Sequence, residues 1–360
     1  MLNSEPPFDR KKNLSSSAKF WRMAGIGLVV LGAVTAFAMV NGAFDPDRLT
    51  PKLMVNTLEN ANGVYPGFRR NHPKGVCVSG FFDSNGEAAP LSKAQVFVRG
   101  RTPVIGRLAL PTGNPYSSDS AAPLRSFAVQ FMQADGQQWR SGMNSMPVFP
   151  VGTPEAFIGL LKATSPDPKT GKPDPSKPAA FFAAHPETQP FLTWVRAAKP
   201  SASFVTETYN SINAFVLVNS SGKRQAVRWS LVPEGKVVLN APNGENYLKE
   251  DLEKQLANGP QRWSLVLTLA NPGDPTNDAS KEWIGHRESI NAGTLVVSAD
   301  SPQLNGSCRD INFVPLILPN GIEGSDDPLL AARSAAYAQS YVRRTSEVSQ
   351  LTTSQAQDNQ

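Results

Sequence analysis

Apolar and polar positions along the chain follow three successive rhythms. The first is continuous: Met23 to Val40 holds 18 residues without a charge, preceded by Arg10, Lys11, Lys12, Lys19 and Arg22. That length is the lower limit for a bilayer-spanning helix. Basic residues before it predict a cytoplasmic N-terminus with the remainder exported. Ala36-Phe37-Ala38 has the small-residue spacing of a signal-peptidase site, so a cleaved signal and a retained anchor both stay open. Residues 1–22 therefore form a basic segment and 23–44 an anchor or signal segment. In a bacterium, residue 45 onward would then lie in the periplasm or face outward from the inner membrane.

The second rhythm is a series of short runs broken by Gly, Pro and Asn. β-branched and aromatic content predicts strands at 76–82, 95–98, 104–110 and 126–132, and again at 214–219, 226–233, 236–240, 263–271 and 293–299. Between them the period lengthens toward 3.6, predicting helices at 49–61, 154–163 with Thr153 as N-cap, 189–199, and 247–259 ending at Gly259. TSPDPKTGKPDPSKP, residues 164–178, has little to bury and is expected to be an exposed loop. The third rhythm is a helix over 326–344, followed by a polar, disordered tail at 346–360. Many strands in two groups with helices between them predict an α+β domain over 45–345, its sheet mainly antiparallel and closed into a barrel.

Charge and cysteine usage narrow the field only slightly. The leader carries +3 of the net +5, so the remainder is near neutral and gives no footprint for nucleic acid. Cys77 and Cys308 are the only cysteines; a disulfide and a pair of buried thiols both remain open. With three histidines, His72, His185 and His286, a multi-histidine metal site is not expected. The chain has no P-loop, Rossmann fingerprint, G-x-S-x-G elbow or H-E-x-x-H.

The candidate chemistry begins with Arg333 and Tyr337, one helical turn apart, with Arg344 about two turns further on the same face. A guanidinium beside a phenol favours the phenolate, and a Tyr phenolate is the haem ligand of catalases. R-x-x-x-Y resembles the proximal motif of the catalase family. Three further segments agree in order. GFRRNHPKG resembles the distal R-x-x-H-A-K-G motif, with Pro73 in the Ala place. VIGRLALPTGNPYSSD…PLRSFAVQF resembles V-R-F-S…R-x-F-A-V-x-F. GQQWRSGMNSMPVF resembles W-x-x-x-G-N-N-x-P-x-F-F. The resemblance covers about 50–345 and is nearest to the compact, catalase-related peroxidases.

The resemblance implies a catalase-type antiparallel barrel with flanking helices, binding haem b without covalent attachment. His72 becomes the distal acid–base residue with Asn144 beside it, and Tyr337 the axial iron ligand stabilised by Arg333. Arg69, Arg107 and Arg344 become haem-propionate partners, Arg125 falls on the family's later Arg, and Phe149 packs on the haem. Two departures stand out. The Ser that hydrogen-bonds the distal His in full catalases falls on Ala109, and counting back from Pro147 puts the distal Asn place on Ser145, one after Asn144. Both losses predict a peroxidase that draws electrons from an organic donor, with weak or no catalase activity. The alternatives are a relative acting on lipid hydroperoxides and a membrane-anchored binding module without catalysis. Lacking the wrapping arms of full catalases, the protein is expected to be a monomer or homodimer.

Overall fold

Alternation builds the barrel. Strand β8 (Gln261–Leu269) buries Trp263, Leu265, Leu267 and Leu269 and turns the residues between them away from the core. β4 (Gln138–Asn144) does the same with Trp139, Ser141 and Met143. This is the period of two that a pleated strand imposes. In the computed structural model, which describes residues 16–40, 48–167, 170–199, 201–235 and 244–358, these join eight other strands. They are β1 (Gly75–Ser84), β2 (Gly100–Ala109), β3 (Ser126–Met132), β5 (Tyr209–Asn210), β6 (Phe215–Val218), β7 (Arg224–Pro233), β9 (Ser289–Pro302) and β10 (Ile322–Gly324).

The strand order is β10-β6-β7-β5-β4-β3-β2-β1-β9-β8, and β8 returns to pair with β7. Eight antiparallel strands thereby close into a barrel, with β6 and β10 as a short branch beside β7; closure removes the open edges that would invite aggregation. Trp139, Trp229, Trp263, Phe82, Phe127 and Phe131 fill the interior, stacking at 4.4 Å between Phe131 and Trp139 and 4.1 Å between Phe215 and Trp229. β1 bends at a register shift between Ser79 and Gly80. A Cβ at Gly80 would fall 1.9 Å from the Val296 carbonyl, so only glycine fits.

The helices are α1 (Ser16–Val40), α2 (Pro51–Asn62), α3 (Pro154–Thr164), α4 (Ser176–Ala184), α5 (Gln189–Ala197), α6 (Tyr247–Ala257) and α7 (Pro328–Asp358). α1 falls in a unit of its own ending at Thr50, and contains the one stretch among the described residues, Lys19–Phe37, long and apolar enough to cross a membrane. α3 begins where expected: Thr153 Oγ1 accepts from the Ala156 N–H at 3.2 Å.

Several expectations change. Residues 95–97 form a 3-10 turn, in which Val96 and Phe97 are both buried, where a strand was expected. β4 and α4 were not expected. The polar outward positions of β4 hid its period, and the Pro/Lys-rich start of α4 hid its Ala/Phe face. The predicted strand 236–240 and positions 41–44 of the leader lie outside the described residues. The helix does not stop at 345: α7 continues to Asp358, and Glu347 pairs with Arg70. The first turn beyond the expected end is thus tied to the domain through the Glu347–Arg70 ion pair. Cys77 and Cys308 are bonded, their Cα atoms 5.3 Å apart.

Candidate active site

β2, β3 and β4 lie side by side, and their register lines residues up in rows across the outer face of the barrel. One row is Arg107, Ala128, Gly142; two residues along the strands is the row Ala109, Ser126, Asn144. Leu108, Phe127 and Met143, between the rows, are buried in the core. Three of the six outward positions are Ala or Gly, so the strands form a shallow floor. α7 runs opposite and presents Arg333, Tyr337 and Arg344. The cavity between is partly open to solvent; its empty space, open solvent included, is about 1250 Å³. His72, Asn144, Arg69, Arg107, Phe149, Arg333, Tyr337 and Arg344 all line it. Residues 69 to 344 in sequence converge on one space.

His72 enters on a strained turn with φ +54°. Its N–H bonds to Thr112 O at 3.1 Å and Asn71 Oδ1 at 3.0 Å, and its carbonyl accepts from Arg107 Nη2 at 2.8 Å. Ile212, the other non-glycine residue with positive φ among the described residues, lines the same cavity. Such conformations cost about 1–3 kcal/mol each and persist where surrounding contacts enforce them.

The His72 side chain does not lack a partner. Ser126 Oγ lies 2.9 Å from His72 Nδ1 and donates to Asn144 Oδ1 at 2.5 Å. A hydroxyl has one proton, so with that proton on Asn144 the imidazole must donate from Nδ1, leaving the Nε2 lone pair free. The expectation built on Ala109 and Ser145 is therefore corrected. Ser126 stands beside Ala109 across the sheet and supplies the hydroxyl. Asn144 faces the cavity, while Ser145 is turned away and accepts from the Arg125 N–H at 3.0 Å. Arg125 is also placed elsewhere: it is fully buried and donates to Ala122 O, Leu124 O, Ser201 O and Tyr247 Oη. Enclosure and then the guanidiniums of Arg107, Arg333 and Arg69 push the His72 pKa down to about 3. Its ring is only half-buried, and water in the open cavity screens part of that push.

Three arginines border the cavity with no carboxylate among the described residues in hydrogen-bonding contact. Arg69 Nη2 donates to the carbonyls of Cys308, Arg309 and Ile311, at 3.1, 3.4 and 3.0 Å. Arg344 Nη1 donates to Arg309 O at 2.5 Å. Arg107 Nη2 donates to His72 O, Pro73 O and Gln303 Oε1, while its Nε is buried without a partner. Burial and the neighbouring guanidiniums lower all three, Arg107 to about 9. A buried cation with carbonyl partners alone is short of negative charge, and two carboxylates of a bound ligand would supply it.

On the helix side, Arg333 Nη1 donates to Asn213 Oδ1 and Nη2 to Gly142 O at 3.2 Å. Asn213 Nδ2 donates in turn to Asp327 Oδ2 at 2.7 Å, and Asp327 Oδ1 caps α7 at the Leu329 N–H. A Cβ on Gly142 would meet Arg333 Nη2 at 3.3 Å and Tyr337 Oη at 3.6 Å, so guanidinium and phenol converge over the one strand position without a side chain. A flat floor, a phenol above it and three arginines short of anions fit a planar, metal-centred dicarboxylate such as haem.

A profile of the catalase family matches residues 67–359. The chain belongs to the catalase family. It is 34% identical over 332 residues to the catalase-related peroxidase of Synechococcus elongatus, covering 91% of this chain and 97% of that one. It is 30% identical over 303 residues to the catalase-related peroxidase of Mycolicibacterium paratuberculosis, covering 82% and 95%. Its fold is that of solved catalases: a fungal catalase superposes with a TM-score of 0.69 at 20% identity, over 81% of this chain and 62% of the other.

Within this catalase-family site, Ser126, Asn213, Asp327 and Arg70 escaped the sequence. Asp327 carried a signal, an Asp-Pro pair at a helix start, readable as a cap. Arg70, next to Arg69, is buried between Glu59 and Glu347. Ser126 and Asn213 depend on strand register and a loop, and no local pattern marks them.

Proposed function

We propose that this catalase-family protein is a haem b-dependent peroxidase, reducing hydrogen peroxide or organic hydroperoxides with electrons from a small organic donor. The observation that carries the proposal is the pairing in one cavity of a neutral, oriented imidazole with a phenol and three arginines short of anions. Haem, when bound, supplies the iron that takes up a peroxide oxygen and the redox equivalents of the reaction. Tyr337 would hold the iron through its phenolate, and Arg333, fixed by Asn213 and Gly142, favours the charged form of that oxygen. Arg69, Arg107 and Arg344 would bind the propionates in charge-assisted hydrogen bonds, and Phe149 would pack against the ring.

His72 does the proton work. Its free Nε2 takes the proton from the near oxygen of peroxide and returns it to the far oxygen as water or alcohol leaves. Ser126 keeps the imidazole in the tautomer that can do so, and Asn144 holds Ser126. Because both partners are in place, the absence of a hydroxyl at Ala109 no longer argues for weak catalase activity, nor for a lyase acting on lipid hydroperoxides. The preference for a donor rests instead on likeness to relatives named catalase-related peroxidases. α1, apolar and preceded by basic residues, supports an exported protein held at or cleaved from the membrane.

The test is an absorption spectrum of the full chain reconstituted with haem, for wild type and Tyr337→Phe, followed by peroxide with and without an organic donor. The expected result is a high-spin phenolate-type spectrum lost in Tyr337→Phe, and peroxide loss that depends on donor. Ser126→Ala is expected to slow peroxide consumption by roughly 10–100-fold with the spectrum unchanged. Vigorous oxygen release without donor would overturn the peroxidase assignment in favour of a true catalase. A protein that stays colourless with haem would overturn the haem reading.

A further inference from the structure

The disulfide joins β1 to the segment whose carbonyls accept from two of the cavity arginines. Cys77 stands on β1 directly opposite Arg107 of β2. Cys308 belongs to the segment between β9 and β10, and its N–H points at Cys77 Sγ, 3.2 Å away. The next carbonyls of that segment, from Cys308, Arg309 and Ile311, are the acceptors of Arg69 Nη2, and Arg309 O is the acceptor of Arg344 Nη1. Both cysteines are fully buried in an apolar cluster with Phe313, against which Ile105, Ala128, Ile311 and Tyr337 pack. One covalent bond therefore sits within the apolar cluster against which the side chain of the proposed axial ligand packs. It also anchors the backbone that aims two of the three cavity arginines.

We infer that the Cys77–Cys308 disulfide is a positioning element of the cofactor site: it holds the 308–311 backbone, through it Arg69 and Arg344, and so sets how tightly haem is retained. This rests on the haem reading above. The physical reason is the scarcity of acceptors. Arg69 Nη2 has only those three carbonyls as hydrogen-bond acceptors among the described residues, and a half-buried guanidinium with so few acceptors follows whatever satisfies it. Release of residue 308 from β1 lets the acceptors drift, and the arginines lose the geometry in which two guanidiniums can meet carboxylates. An ordinary stabilising bridge would act through the unfolded chain and would be indifferent to these arginines.

Two arms test it. In the first, haem-loaded wild type and Cys77→Ala/Cys308→Ala are mixed with an excess haem acceptor protein and haem transfer is followed at the Soret band. Both are repeated with Arg69→Lys/Arg344→Lys. Loss of the bridge is expected to speed haem release roughly 10–100-fold in the first background, and less than about threefold in the second, because residues acting through one contact are not additive. In the second arm, amide hydrogen exchange of residues 303–312 is measured in the apo chains and is expected to quicken without the bridge while the barrel strands stay protected. Cys77→Val/Cys308→Ala, which keeps more of the buried volume, replaces the Ala pair if that variant does not fold. Equal acceleration in both arginine backgrounds, or unchanged exchange at 303–312, would overturn the inference. Failure of wild type to take up haem would sink the haem reading at the outset. The exchange arm, read without haem, would still report whether the bridge holds the segment.

Discussion

Arg69 and Arg70 are neighbours in the chain, as are Arg343 and Arg344, yet each pair divides between two electrical environments. Arg70 is buried between Glu59, whose Oε1 lies 2.5 Å from its Nε, and Glu347 on α7. Arg343 pairs with the other oxygen of Glu59 at 2.5 Å and donates to Asn56. Arg69 and Arg344, one residue away in each case, have only backbone carbonyls as hydrogen-bond acceptors among the described residues. Burial pulls Arg70 down, but Glu347 and Glu59 outweigh it and hold it above its ordinary value; Arg69 and Arg344 are lowered. Satisfied arginines join α2, α7 and the turn leading to His72. Unsatisfied ones face the cavity. The difference separates residues that maintain the fold from residues that await a ligand, and residue type alone could not have made that distinction.

The comparison can be broken most decisively at Arg70. Arg70→Met leaves Glu347 without its partner and Glu59 with Arg343 alone, and is expected to destabilise the apo fold by about 3 kcal/mol, measured by denaturant unfolding. A loss below about 1 kcal/mol would show that the network is decorative. Arg344→Met should do the opposite. It removes a cation that burial disfavours, leaving apo stability unchanged or slightly higher, while haem affinity falls roughly 10–100-fold. Arg344→Lys, which keeps the charge but not the planar fork, should fall between wild type and Met. Equal damage to apo stability from Arg344→Met and Arg70→Met would erase the distinction.

Acid sharpens it more gently. Burial raises the Glu59 carboxyl, but its bonds to Arg70 and Arg343 outweigh that and hold it below its ordinary value. Its contribution is therefore present above about pH 4.5 and is lost as pH falls through the folded value. His72 is also depressed, to about 3 against 6.5 unfolded, so apo stability should begin to decline below about pH 6.5 and steepen below 4.5. Unfolding midpoints measured from pH 8 to 3 should show both phases. Arg70→Met should blunt only the steeper one.

The alternation of β8 and the 3.6 period of α7 were legible because each records burial on one face. So were Arg333 and Tyr337, whose spacing is local, and His72, whose flanking residues form a motif. What could not be read was registration between distant strands. Ala109 looked like a missing hydroxyl because the sequence offers no sign that Ser126 is its cross-strand neighbour. Asn144 seemed one residue out of place for the same reason. The charge networks were hidden differently: Glu59 and Arg70 are 11 residues apart but Glu347 is 277 residues from Arg70, and every one of them resembles a surface residue. The Cys77–Cys308 bond spans 231 residues, and only the fold brings them within reach.

α7 has a consequence for the order in which the molecule can be made. Its 31 residues end at Asp358 of 360 and carry Arg333, Tyr337 and Arg344. His72, Arg69, Arg107 and three of the strands beneath the cavity all lie in the first 144 residues. A growing chain therefore owns its distal half long before it owns the proposed iron ligand. Synthesis from the N-terminus places cofactor capture after the barrel strands are made, and release or clipping of the chain before Tyr337 would yield a barrel without the proposed iron ligand.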